Sequence, residues 1–376
     1  QWMLAITILL FAASTSAGED SSAYHVHPGQ NIQEAIEKAA SDPARKKVLV
    51  HAGTYRPAKP AQALVWFNAR HNGITLEAIG DVVLTAANPQ VGSPDTKSFP
   101  AIVNHVVYFG DGVGRDTVLR GFKITGANHF VTRSEQPGPI QPPLAEKKLR
   151  KALFFYADGG AIKVFGRSYP TIDQVEIYEN YASPCGGGIS IEHRTFNRHA
   201  VLITNSIFRQ NSCQITGSAI DVLPDSAAAI INCLFVANIA NTGVDYVSGP
   251  GDEYNKQHGS GALTVFPGAR VQVRRCTFTG NWNGADDKGS GNLYADTIFW
   301  QNNAGGGIAP GSRYELDILD ASRVKRCFFG GDTPDLRKTI DRTFNIFDAD
   351  DPDFDLHYVP RNPAYAEAGY RPVAIE

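Results

Sequence analysis

Lys163, Glu192, Arg194 and Asp221 are side chains of types that move protons or hold carboxylates, and all fall within 60 residues of one another. Lys163 and Asp221 sit in short alternating runs that open on glycine, and Glu192 directly follows another: Gly159-Gly160-Ala161-Ile162-Lys163-Val164, Gly217-Ser218-Ala219-Ile220-Asp221-Val222 and Gly187-Gly188-Ile189-Ser190-Ile191, with Gly259-Ser260-Gly261-Ala262-Leu263-Thr264-Val265 as a fourth run. Alternation puts Lys163, Ser190, Asp221 and Thr264 in one outward column, and Phe165, Glu192, Leu223 and Phe266 in the next. Glu192 and Asp221 are offset by two residues on adjacent repeats, so their Cβ atoms are expected roughly 8 Å apart. Carboxyls separated by about 5–9 Å serve as the acid and base, or acid and nucleophile, of glycosidic bond hydrolysis.

The same residues fit a second chemistry. Lys163 could remove a proton α to a carboxylate, Arg194 could pair that carboxylate bidentately, and His193 stands beside them in the longer turn Glu192–His199. Glu192 and Asp221, helped by Asp245 or Glu253, could hold Ca2+ through oxygen ligands. The plainer alternatives are a solvated outward lysine and two exposed acids on a polar face.

These side chains need elements to position them. A Phe or Ile is followed three residues later by Asn at Ile177/Asn180, Phe208/Asn211, Phe235/Asn238, Phe278/Asn281 and Phe299/Asn302, with the anchors 31, 27, 43 and 21 residues apart. A unit of about 20–30 residues with period-2 alternation reads as one coil of a solenoid, because strands this short bury a face only by stacking. The apolar anchors, extended by Ile124 and Phe329, should form one inward stack, and the asparagines a ladder at a tight bend. Asn31–Ala40 carries Ile32, Ala35, Ile36 and Ala39 at helical spacing after an Asn cap, which suits a helix over the open end.

Two long excursions leave the repeat at the same turn. His129–Asp158 holds Pro137, Pro139, Pro142 and Pro143, and Ile239–His258 holds Asp245, Tyr246, Glu253, Tyr254 and His258. Three coils apart, they would stand about 14 Å from each other and wall a cleft floored by the outward columns. Tyr246, Tyr254, His258, Phe165 and Phe266 are then expected to contact a substrate.

Asn31–Gly369 resembles the right-handed parallel β-helix of the pectate lyase-like superfamily, also called the pectin lyase fold. The resemblance rests on the two interleaved repeats, on Asn31-Ile32-Gln33-Glu34-Ala35-Ile36 with Val48-Leu49-Val50-His51-Ala52-Gly53-Thr54-Tyr55, and on the closing Asp351-Pro352-Asp353-Phe354-Asp355-Leu356 and Asn362-Pro363-Ala364-Tyr365-Ala366-Glu367-Ala368-Gly369. It implies an all-β solenoid with an N-terminal cap helix. Since this fold hosts lyases, hydrolases, epimerases and adhesins, function must come from the site. The paired Asp, Gly-His-Gly and Arg-Ile-Lys set of polygalacturonases is absent, as is the Asp-Pro-His-Glu motif of mannuronan epimerases. Asp286-Asp287 reads as a tight turn or an incidental cation site.

Composition sets the outer bounds. The 376 residues, 43% of them hydrophobic, with a 20–30-residue repeat, argue for one elongated domain over residues 24–376. A net charge of -3 argues against a general nucleic-acid binder. Leu4–Ala13 is an apolar run too short to span a bilayer, and Thr15-Ser16-Ala17 offers a small-x-small cleavage site, so residues 1–23 read as an export signal and leader that lacks the usual basic start. A secreted or periplasmic location follows. Cys233, Cys276 and Cys327 occupy equivalent coil positions and read as buried thiols, while Cys185 and Cys213 leave a bridge open. His193, His199 and His258 lack the spacing of a transition-metal site.

The expectation is therefore an exported protein acting on a polysaccharide, by β-elimination at a uronate in preference to hydrolysis. A non-catalytic surface, adhesion or glycan-binding solenoid is the rival, and monomer and trimer both stay open.

Overall fold

Isoleucine and phenylalanine at one position of each repeat can leave water only by stacking on the next repeat. In the computed structural model, which describes residues 20–132, 157–183, 185–195, 198–240, 261–302, 314–330 and 340–373, they do so. Ile124, Ile177, Phe208, Phe235, Phe278, Phe299, Phe329 and Phe347 pair in register along parallel strands. The Phe208–Phe235, Phe235–Phe278 and Phe278–Phe299 rings lie 4.9, 4.3 and 4.9 Å apart with planes within 11° of parallel. That spacing is the separation of neighbouring strands, so the sheet sets the stacking distance.

Among the described residues, strands form an 18-stranded and an eight-stranded sheet, with a small third pair, Tyr181–Ala182 on Ser212–Cys213. The strand pairs of all three sheets are parallel. The arrangement is mostly β and compatible with a β-helix or solenoid. The eight-stranded sheet follows chain order from Ala61–Phe67 through Val103–Phe109, Ile162–Phe165, Ile189–Glu192, Ile220–Val222, Leu263–Val265 and Ala285–Asp287 to Leu316–Ile318. Its first strand, Ala61–Phe67, has no counterpart in the repeat pattern. The long sheet begins with Ala23–Val26 on Lys47–Tyr55, so ordered structure reaches to the edge of the expected leader. No helix among the described residues is long and apolar enough to cross a membrane.

The asparagine ladder forms as expected. Each amide Nδ2 donates to the Oδ1 of the next: Asn180 to Asn211 at 3.1 Å, Asn211 to Asn238 at 3.1 Å, Asn238 to Asn281 at 2.9 Å and Asn281 to Asn302 at 2.8 Å. The left-handed residue of the bend is the one before each asparagine: Glu179, Gln210, Ala237, Gly280 and Gln301, with φ between 51° and 63°. A non-glycine residue there costs about 1–2 kcal/mol, which the buried amide bonds of the following asparagine offset.

The helix Ile32–Ser41 is capped by Asn31, whose side chain accepts the Gln33 N–H at 2.9 Å, and it lays Ile32, Ala35, Ile36 and Ala39 on the core. All five cysteines are free and buried, so the bridge left open between Cys185 and Cys213 is not formed. Cys276 Sγ instead points to the Arg274 carbonyl at 3.3 Å, and Cys213 Sγ to that of Thr216 at 3.1 Å.

Candidate functional site

The register of the eight-stranded sheet carries the expected outward column. Tyr108, Lys163, Ser190, Asp221, Thr264, Asp286 and Asp317 pair side by side on seven successive strands. Phe165 pairs with Glu192 in the second column. Outward here does not mean open to water, however, because Lys163, Ser190, Asp221 and Thr264 are all fully buried. The expected solvent-lined floor is replaced by a closed, charge-bearing layer. Asp245, Tyr246, Glu253, Tyr254 and His258 lie outside the described residues.

Burying a charge is tolerated only with a partner, and the site supplies partners. Lys163 Nζ donates to Glu192 Oε2 at 2.7 Å and to Ser190 Oγ at 3.3 Å. Arg194 Nε forms an ion pair with the other oxygen, Glu192 Oε1, at 2.5 Å, and its guanidinium lies 5.1 Å from the centre of the Phe165 ring. Arg194 and Thr195 are both left-handed, with φ of 53° and 71°. Strain at two consecutive residues is what bends the chain back over Glu192.

Asp158, which the repeat pattern does not single out, completes the cluster. It precedes Gly159, whose φ of +84° and whose missing Cβ, which would stand 2.5 Å from the Ile162 carbonyl, let the chain turn tightly into the strand. His105 braces that turn through Nδ1 and the Gly159 carbonyl at 2.7 Å, and burial drives its pKa down to about 3, so it is a neutral imidazole donating from Nδ1. Asp158 accepts the Cys185 N–H at 3.1 Å. Burial, with the Glu192 carboxylate adding to it against the pull of Lys163, pushes its carboxyl up to about 7.

Asp221 accepts from Thr216 Oγ1 at 3.2 Å on one oxygen, while its buried Oδ2 has no hydrogen-bond partner among the described residues. Burial and then the charge of Asp158 raise its carboxyl well above the ordinary range. Two desolvated carboxyls, the charge of Asp158 raising Asp221, are coupled in their titration. Such a pair favours one neutral and one ionised member, the state a proton-transfer site needs.

The remaining candidates fall elsewhere. His193 is fully buried, with Nε2 donating to the Ser168 carbonyl at 2.9 Å and Nδ1 accepting the Ala227 N–H at 3.2 Å. Burial lowers its pKa to about 4, so it is a neutral brace of the turn. Phe165 is buried with Tyr108, Ala63 and Trp66, and Phe266 is half-buried. Glu192 has both oxygens turned to cations and suits calcium poorly. Among the described residues, no three His, Cys, Asp or Glu side chains converge to hold a metal ion.

Asp286-Asp287 is not a tight turn. Ala285–Asp287 is a strand of the eight-stranded sheet, with Asp286 in the outward column and Asp287 in register with the core residues Val265 and Ile318. Asp287 is tolerated inside because Tyr294 Oη, Asn292 Nδ2 and the Gly289 N–H donate to it at 2.9, 2.9 and 2.8 Å. Lys288 bridges Asp317 at 2.9 Å and Asp286 at 3.3 Å, a second buried ion cluster on the same face.

No protein-family model matches the chain, and comparison with curated proteins and with solved structures returns no match.

Proposed function

We propose that the chain is an exported right-handed parallel β-helix of the pectate lyase-like kind, and that it cleaves an anionic polysaccharide with Asp158 and Asp221 as its proton-transfer pair. The observation that carries this is the buried Asp221 Oδ2, without a hydrogen-bond partner among the described residues, beside a carboxyl whose pKa is pushed up to about 7. An unpaired buried acceptor costs about 1–3 kcal/mol, and that cost supports a functional reading of the oxygen.

Hydrolysis fits the pair best. The protonated member gives its proton to the glycosidic oxygen as the C–O bond breaks, and the ionised member takes one from water or attacks the sugar itself. Lys163 and Arg194 keep the neighbouring charge balanced through Glu192. A second reading, β-elimination, is favoured by these two cations converging on one carboxylate. A uronate carboxylate exchanging with that of Glu192 would be neutralised there. One Asp would take its α-proton, and the partner would protonate the leaving oxygen as the C=C bond forms.

The test is a panel of anionic and neutral polysaccharides with the wild type, Asp158→Asn and Asp221→Asn, with and without EDTA. New reducing ends without ultraviolet absorbance of an unsaturated uronate mean hydrolysis; both signals together mean elimination. Loss on chelation would make Asp221 a calcium ligand. Full activity in Asp221→Asn would remove the pair from the mechanism, and no signal with the wild type across the panel would put the non-catalytic glycan-binding or adhesion reading first.

A further inference from the structure

A cleft of about 330 Å³ opens on the long sheet, away from the carboxyl pair, between the turn at Arg198–Ala200 and the strand Arg270–Arg274. Its floor is made of small side chains, Ala227 to Ala229, and its walls carry Arg198, Arg270 and Arg323 together with His199. No acidic side chain lines it among the described residues. Asp320, three residues before Arg323, is turned to the N–H groups of Gly291 at 2.7 Å and Ser322 at 3.0 Å.

The arginines are not scattered. Arg198 precedes the strand Val201–Thr204, Arg270 begins a strand two places further along the sheet, and Arg323 precedes Val324–Lys325, two places further again. At strand spacing, and with a two-residue stagger at each step, this sets them about 12 Å apart on a diagonal across the strands. Arg323 Nη1 is fixed by the Gly291 carbonyl at 2.9 Å, and Arg115 Nη2 reaches the Ala200 carbonyl at 3.2 Å, which adds a fourth guanidinium at the rim.

We infer that this cleft binds a linear anionic polysaccharide, laid across the strands with its carboxylates or sulfates on successive arginines. Guanidinium groups pair such oxyanions bidentately, and their regular spacing suits a ligand whose charge recurs along its length. A single-stranded nucleic acid would ask for aromatic faces under its bases, and among the described residues no aromatic ring but that of His199 lines the cleft. The binding stands on the cleft alone and does not depend on cleavage at Asp158 and Asp221.

The test is affinity of the full chain for polygalacturonate and for heparin, as carboxylated and sulfated probes, against neutral dextran and oligo(dT). Wild type should bind one or both anionic glycans in a salt-dependent way, and Arg270→Ala with Arg323→Ala should weaken binding by about tenfold or more for each arginine removed. Both arginines are exposed, so the melting temperature should hold. As an independent readout on unaltered protein, bound glycan should shield Arg198, Arg270 and Arg323 from phenylglyoxal. Unchanged affinity in the double variant, equal binding of dextran, preference for oligo(dT), or shielding confined to other arginines would overturn the assignment.

Discussion

Lys163 and Glu192, on neighbouring strands of the eight-stranded sheet, meet at 2.7 Å where the lysine is wholly shut off from water. The lysine depends on this carboxylate, whereas Glu192 is also paired with Arg194. Removing one partner of a buried pair strands a charge at about 3–5 kcal/mol, whereas replacing both by apolar groups of similar volume is often neutral. Glu192→Leu alone strands the buried lysine and should destabilise strongly, Lys163→Met should cost less because Arg194 still pairs Glu192, and the double variant should recover part of the Glu192→Leu loss. Urea midpoints of the two singles and the double decide it. An additive double variant would mean the pair is not coupled.

Asp158 sets a dependence on pH. Its folded carboxyl titrates near 7 and its unfolded one near 3.8, so the native state holds the proton more tightly. The stability this contributes is full below about pH 4 and is lost as pH rises toward 7. Wild type should lose stability relative to Asp158→Asn across that window, and the difference should flatten above it. A difference that is constant from pH 4 to 7 would contradict the raised carboxyl.

Activity should follow the same group. The pH profile of cleavage should carry a limb near 7 that disappears in Asp158→Asn, while glycan affinity is held. A limb that persists in this variant belongs to another residue.

The ladder ends on an unlike residue. Asn302 gives its N–H to Glu315 Oε1 at 3.3 Å and its side-chain amide to Glu315 Oε2, so the carboxylate stands in for the next asparagine with two acceptors. Glu315→Gln keeps the shape but turns an NH2 toward a donor, and should cost about 1–3 kcal/mol. Asn211→Ala, which strands bonds to Asn180, Asn238 and the Ile177 carbonyl, should cost about 3 kcal/mol or more. Thermal unfolding of both variants checks the order.

The thiols should be silent. Burial raises those of Cys185, Cys213, Cys233 and Cys327, the last to about 12. Native protein should leave all five cysteines unmodified by a thiol reagent at pH 8 and release them together in denaturant. Reaction of Cys185 in the native state would show that the Asp158 turn opens.

What the sequence makes legible is what recurs. The Phe stack, the Asn ladder and the Lys163–Ser190–Asp221–Thr264 column repeat at one position per coil, and period-2 alternation fixes the face each takes. Asp158 is illegible because it sits on a turn and owes its chemistry to burial beside residues 34 and 63 positions away, Glu192 and Asp221. Asp287 misleads because an acid in a core column is unreadable until Tyr294 and Asn292 are seen to satisfy it. His193 has the residue type of a catalyst, but its two ring nitrogens are spent on backbone, which no spacing announces.

The ladder has a further property. Every side-chain amide from Asn180 to Asn302 donates toward the later coil, and the series stops at an acceptor that has no hydrogen to pass on. The stack is therefore vectorial. A repeat can be duplicated or deleted between Asn180 and Asn302 and still find a matching neighbour on each side, whereas Glu315 offers no amide hydrogen to a further repeat. The residue that closes the ladder also makes it a finite one.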